Sequence, residues 1–232
     1  MNPSSRPIGP EVDTAPAARP GPVRLEGRYC AVEKLDPARH GAALWEGIKS
    51  DDAVWDYMGY GPFSDPTSFR RWLEERAALL DPYSYAVVDN ATGQGTGIVT
   101  LMEIRPSARV IEVGNIVYAP RLQRTPAATE VQYLAARYVF DELGYRRYEW
   151  KCNALNEPSK RAALRLGFTY EGTFRQHMIV KGRNRDTAWY AMMDGEWPAV
   201  RAAFEPWLDP SNFEAAGKQK ISLADFRTGI AK

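Results

Sequence analysis

Gln123-Arg124-Thr125-Pro126-Ala127-Ala128-Thr129-Glu130 decides how this sequence is read. A β-rich run, residues 110–118, lies before it. From residue 126 to residue 143, Val131, Leu134, Ala135, Tyr138 and Val139 recur at helical spacing, and Gly144 supplies a stop. Thr125 is a good N-cap, and Pro126 suits the first helical position, where a missing N–H costs nothing. The next backbone N–H groups have no intrahelical acceptor. Small side chains at Ala127 and Ala128 let a bulky anion approach them, and the helix dipole favours negative charge there. Arg121 and Arg124 stand just before the helix and add positive charge. A capped amphipathic helix behind a solvated basic loop is the plainer reading of the same residues.

Working outward, residues 148–153 alternate cleanly. Tyr148, Trp150 and Cys152 share one face, and Glu149, Lys151 and Asn153 the other. Residues 110–153 therefore read as strand, helix, strand. A short helix is expected over 156–166, closed by Gly167. A hairpin follows over 168–180 and 185–193, around Lys181-Gly182-Arg183-Asn184, and then a helix over 196–207. Upstream, residues 25–34 have strand character, and Asp36-Pro37 and Asp65-Pro66 open helices. Gly59-Tyr60-Gly61-Pro62 breaks the first of these. Residues 83–89, 97–104 and 110–118 read as strands, the last two as an antiparallel pair around Arg105-Pro106-Ser107. The order predicts an α+β fold with a mixed, mostly antiparallel sheet.

Composition narrows the function. The 232 residues are 44% hydrophobic and 25% charged, which excludes a wholly disordered, collagenous or coiled-coil protein. Thirty Lys+Arg against 29 Asp+Glu give a formal net charge of +1 and no global field for nucleic acid or an anionic membrane. Cys30 and Cys152 are far apart, without a CxxC or Cys/His cluster, so neither a metal site nor a disulfide scaffold is expected. No 18-residue apolar run and no secretory apolar core occur, so the cytoplasm is the expected location. Residues 1–22 hold six of the 17 prolines, and their only bulky aliphatics are Ile8 and Val12. They read as an extended or disordered arm. Residues 23–209 read as one domain. Residues 210–232 form a C-terminal extension whose Phe213, Ile221, Leu223 and Phe226 can dock.

The decisive stretch resembles the GNAT superfamily of acyltransferases. Their signature, Q/R-x-x-G-x-G/A at a strand end, holds the pyrophosphate of acetyl-CoA on backbone amides. Gln123 and Ala128 match its first and last positions, and Pro126 replaces the central glycine, removing one donor. Asn156-Glu157-Pro158-Ser159, Ala162-Ala163, Leu166-Gly167-Phe168 and Glu171-Gly172 are similar to the N-x-x-S…A…LGF…EG run of the same superfamily. The run is most similar to that of the Rim-type enzymes, which modify protein N-termini, and their relatives acting on small amines. The resemblance spans residues 25–208. It implies a three-layer α/β/α fold with a central splayed sheet, and acetyl-CoA as co-substrate. It also implies transfer to a primary amine by direct attack within a ternary complex. The acceptor is a protein α-amine, an aminoacyl compound, a polyamine or an amino-bearing antibiotic. A silent acyl-CoA sensor and an interaction protein on the same fold are the alternatives. A homodimer through the sheet edge or the terminal arms is compatible with this reading.

Such chemistry needs a base for an amine of pKa about 10, donors for an oxyanion, and an acid for a thiol of pKa about 8.5. The resemblance assigns cofactor contacts to the backbone at Val117 and Tyr118, to Gln123, Arg124, Thr125, Ala127 and Ala128, and to Asn156. It assigns Ser159 to the thiol side. Glu103, Glu112, Asp186 and His177 are base candidates, and each carboxylate needs burial to lift its pKa. Glu112 and Asp186 also count among acceptor contacts. Trp55, Tyr57 and Tyr60, in the aromatic loop region, are expected to line the acceptor pocket.

Overall fold

The computed structural model describes residues 6, 8–215 and 217–229. Expectations for residues 1–5, 7, 216 and 230–232 lie outside the described residues. Regular structure starts with β1 (Arg24–Glu26) and β2 (Cys30–Lys34). The sequence suggests one strand here; the structure makes two, because residues 27–29 turn around a buried carboxylate. The amides of Arg28, Tyr29 and Cys30 donate to Glu130 at 2.6, 2.7 and 2.9 Å. A side chain at Gly27 would place a Cβ 2.5 Å from that carboxylate.

Helices α1 (Pro37–Ile48) and α2 (Pro66–Ala78) start where Asp36 and Asp65 accept the first free amides. α1 stops at Ile48, well before Gly59, and a 3-10 turn (Asp52–Trp55) follows it. Next come β3 (Tyr83–Asp89), β4 (Gly95–Arg105), β5 (Val110–Tyr118) and α3 (Pro126–Arg137). The helix expected to reach residue 143 changes to a π-turn over Tyr138–Glu142, where the Leu143 amide bonds the Tyr138 carbonyl at 3.0 Å. β6 (Arg147–Asn153), α4 (Glu157–Leu166), β7 (Thr169–Val180), β8 (Arg183–Met193) and α5 (Trp197–Trp207) complete the expected order. A further helix, α6 (Leu223–Thr228), starts in a Ser222/Asp225 capping box that the sequence reading overlooks.

Among the described residues, eight strands form one sheet in the order β1-β2-β3-β4-β5-β6-β8-β7. Every pairing is antiparallel except β5 with β6. α1 and α2 pack on one face, with Leu44, Ile48, Phe69 and Leu73 against Ala86, Ile98 and Val117. α3, α4 and α5 cover the other face through Val131, Leu134, Ala163, Leu166, Val200 and Phe204. The result is the three-layer arrangement.

Residues 17–21 and 223–227 lie along this body. Ala17 and Ala18 donate to the carbonyls of Pro106 and Leu143 at 3.1 and 2.9 Å. The Tyr138 hydroxyl accepts from the Gly21 amide, and the Tyr85 hydroxyl donates to the Gly21 carbonyl. At the other end Leu223 is fully buried. Arg227 donates to the carbonyls of Leu164 and Arg165, which closes the C-terminus of α4.

Candidate active site

β5 and β6 pair from Val110↔Arg147 to Val113↔Trp150 and then part. From Gly114 to Tyr118, β5 keeps only β4 as its partner. A bulge helps it turn away: Asn115 and Ile116 stand opposite Val99, and Asn115 takes a φ of 48°. Asn tolerates this left-handed conformation better than most residues. β6 meanwhile stays with β8 to Asn153. The result is a fork whose two edges carry unpaired backbone groups.

The end of β5 leads into the loop before α3. The Thr125 side chain accepts the Ala128 amide at 3.2 Å and donates to the Leu122 carbonyl at 2.6 Å. The Ala127 amide has no protein acceptor among the described residues. Gln123 turns its side chain back onto the Tyr118 carbonyl at 2.9 Å, and Val117 is buried opposite Ile98. Arg124 is exposed with φ 61°, whereas Arg121 is tied to the Gly95 carbonyl at 2.9 Å.

α4 starts beside the other edge of the fork. Asn156 caps it, accepting the Ser159 amide at 3.1 Å. The Ser159 hydroxyl accepts from the Trp150 indole N–H at 3.0 Å and lies against the buried Cys152 thiol. Trp150 is the last β6 residue still paired with β5, which puts this hydroxyl at the point where the strands part.

The opposite face of the sheet, the side of α1 and α2, carries a buried ionic group. Lys151 lies 2.8 Å from Glu112 and 2.9 Å from Glu149, and its ammonium stands 4.1 Å above the Trp189 ring. Burial pushes the Glu112 carboxyl up to about 7, although Lys151 pulls it down. Glu149 is also buried, but Arg147, Lys151 and Arg105 hold it below the ordinary carboxylate range. Glu112 pairs with Glu149 just below the fork.

The remaining base candidates differ. Glu103 is exposed in a bulge of β4, with φ 49°. Asp186 binds the Gln176 amide and the Asn184 amide group at 2.7 and 3.0 Å. These bonds hold its carboxyl below the ordinary value, so it does not meet the requirement of a raised pKa. Asp186 instead fastens the wide bulge of β7. His177 lies exposed on that edge strand, 3.0 Å from the Thr187 hydroxyl and edge-on to Phe174. The other histidine, His40, is buried between the Asp36 amide and Glu33.

The aromatic region divides. Trp55 is 2% exposed and packs edge-on against Tyr60, Phe63 and Trp72, so it is core material and not a pocket wall. Tyr60 is half-buried against the same cluster, and burial of its hydroxyl raises that group's pKa. Tyr57 is exposed and donates to the Leu155 carbonyl at 3.2 Å. Lys181, at the β7–β8 tip, donates to the Trp55 carbonyl at 2.9 Å. The segment between α1 and α2 is thus pinned to the β6–α4 loop on one side and to the hairpin on the other.

The model of the acetyltransferase (GNAT) domain matches residues 33–169. The chain belongs to the GNAT acetyltransferase family. A GCN5-related N-acetyltransferase from Brucella melitensis is 45% identical over 92% of this chain and 98% of its own, with a TM-score of 0.90. A probable acetyltransferase of the GNAT family from Chromobacterium violaceum is 38% identical over 84% and 100%, with a TM-score of 0.77. The ribosomal L7/L12 alpha-N-protein acetyltransferase RimL, 19% identical over 74% and 94% with a TM-score of 0.64, shares the fold. No curated protein matches the chain at a significant level. As a GNAT protein the chain is an acyltransferase enzyme, and amines are the typical acceptors of such enzymes.

The structure brings Lys151, Glu149, Trp189 and Lys181, which sequence reasoning did not single out, beside the candidate residues. The alternation of residues 148–153 placed Glu149 and Lys151 on one face, but their neighbour Glu112 comes from a strand that only the parallel pairing brings alongside.

Proposed function

We propose that this GNAT enzyme transfers an acetyl group from acetyl-CoA to a primary amine by direct attack in a ternary complex. The observation that supports it is the fork between β5 and β6, with a free amide donor at Ala127 and a buried carboxyl at Glu112. The parted edges suit an extended amide-bearing arm, and the first turn of α3 suits a pyrophosphate. Pro126 removes one donor, but Ala127 retains one, so the residues present fit acetyl-CoA. When bound, it supplies an activated thioester carbonyl.

Glu112 accepts the proton that the amine must lose, since a carboxyl of pKa about 7 is half ionised near neutrality. Ser159, its oxygen engaged by Trp150, is the hydroxyl in this reading that protonates the departing thiolate, turning from the Cys152 thiol to do so. Asn156 sets the start of α4 and so the place of Ser159. The acceptor lies under the segment pinned by Tyr57 and Lys181. A protein α-amine or a small amine meets these conditions, and the likeness to the Rim-type motif supports the former. Two buried free cysteines agree with a reducing compartment, and the cytoplasm is the location this reading proposes. Among the described residues no helix is long and apolar enough to cross a membrane.

Calorimetric titration with acetyl-CoA tests the donor. Saturable binding by the native chain, weakened by Ala127→Glu, is the expected result. Absence of binding at millimolar acetyl-CoA by the folded protein overturns it. Release of free thiol on adding candidate amines then identifies the acceptor.

A further inference from the structure

We propose that Lys151 is a positioning residue, which holds Glu112 toward the fork and keeps it able to take a proton. The proposal rests on the reading of Glu112 as the base. Its geometry is specific. Lys151 binds Oε2 of Glu112 at 2.8 Å. The other oxygen, Oε1, lies beside Gly114, only 3.3 Å from where a Cβ on that residue would stand. Gly114 is the first β5 residue beyond the last β5–β6 pair. One oxygen is therefore anchored, and the other points along the strand to the place where the strands part.

A purely structural ion pair explains this arrangement poorly. Glu149 already has two cations of its own, Arg147 at 2.6 Å and Arg105 at 2.8 Å. Arg147 also reaches Glu171 on β7. Among the described residues Glu112 has only Lys151. The groups that face Glu112 are Lys151 and Glu149 from β6 and Glu103 from β4, with Trp189 of β8 under the ammonium. Burial and both carboxylates favour the protonated form of Glu112, and Lys151 alone opposes them. Without Lys151, Glu112 would face two like charges and carry its proton at neutral pH. It would then be unable to accept another.

The test follows Glu112 directly. The protein is labelled with 13C at the glutamate carboxyls, and the Glu112 signal is assigned by its loss in Glu112→Gln. Native enzyme, Lys151→Met and Lys151→Arg are titrated, and kcat/KM is measured on each with one amine, so that the amine's own titration cancels in the comparison. The native carboxyl should titrate at about 7. In Lys151→Met the midpoint should rise by about one pH unit or more. The acid limb of kcat/KM should move with it, giving about a fivefold loss or more at neutral pH that recovers in alkali. Lys151→Arg should restore both. A Glu112 midpoint unmoved in folded Lys151→Met overturns the role of Lys151. A midpoint that moves while the rate profile stays fixed overturns Glu112 as the base, and the proposal with it. If Lys151→Met does not fold, Lys151→Arg decides: a rate profile that does not track its Glu112 midpoint overturns the proposal.

Discussion

Glu112 and Ser159 approach the fork from opposite faces of the sheet, and the proposed reading gives them opposite tasks. Burial raises the carboxyl of Glu112 to about 7 from an ordinary 4.5. The folded chain therefore holds that proton more tightly than the unfolded chain does. Its contribution to stability is complete below the unfolded value and is lost as pH rises through about 7. Glu112→Gln should thus melt higher than the native chain in mild alkali, with the gain shrinking in mild acid, while kcat falls. Thermal unfolding at two pH values checks the sign. Ser159→Ala should lower kcat by about 10²-fold without changing the dissociation constant for CoA. Equal loss of both would show that Ser159 serves binding alone. The motif resemblance points to Ser159 in the sequence, because motif residues are neighbours along the chain. The choice of Glu112 over Glu103, Asp186 and His177 is not legible there, since burial depends on which strands lie side by side. Trp55 misleads for the same reason: it sits in a loop of the sequence and in the core of the molecule.

At the scale of elements, periodicity and punctuation recovered most of the strands and helices. Asp-Pro pairs mark both α1 and α2, and Gly167 with φ 106° ends α4 where the spacing predicts. The clearest miss has a tertiary cause. The β1–β2 turn depends on Glu130, a hundred residues away in the chain. Glu130→Ala would leave three amides without an acceptor and should cost about 3 kcal/mol in a denaturant titration. A drop below about 0.5 kcal/mol would mean that water replaces the carboxylate fully. The loop after the 3-10 turn depends on Gly61, whose φ is 64° and whose Cβ would stand 2.6 Å from the Trp55 ring. Gly61→Ala should therefore destabilise the fold by about 2 kcal/mol, through strain and crowding together. Pattern reading fails at the first of these points because the residue that fixes it is remote in sequence.

Across the whole molecule, the proline-rich arm and the C-terminal extension brace opposite parts of the same sheet-and-helix body. The arm spans Tyr85 and Tyr138, and its own Ala17 and Pro20 are buried against the body. Removing residues 1–20 should lower Tm by about 5 °C and leave CoA affinity unchanged. A lost affinity would assign the arm a part in the site. The extension instead reaches α4 through Arg227, so its loss should be felt where Ser159 and Asn156 stand.

Tyr57 gives the hydrogen bond to Leu155 a wider meaning. Leu155 immediately precedes Asn156, so in the proposed reading one hydroxyl joins the roof over the incoming amine to the threshold of the donor's berth. In the proposed reading the two guests share a wall. Each must then alter the other's affinity by the same factor, whichever enters first. Tyr57→Phe should bring that factor closer to one, turning two conversing sites into two indifferent ones.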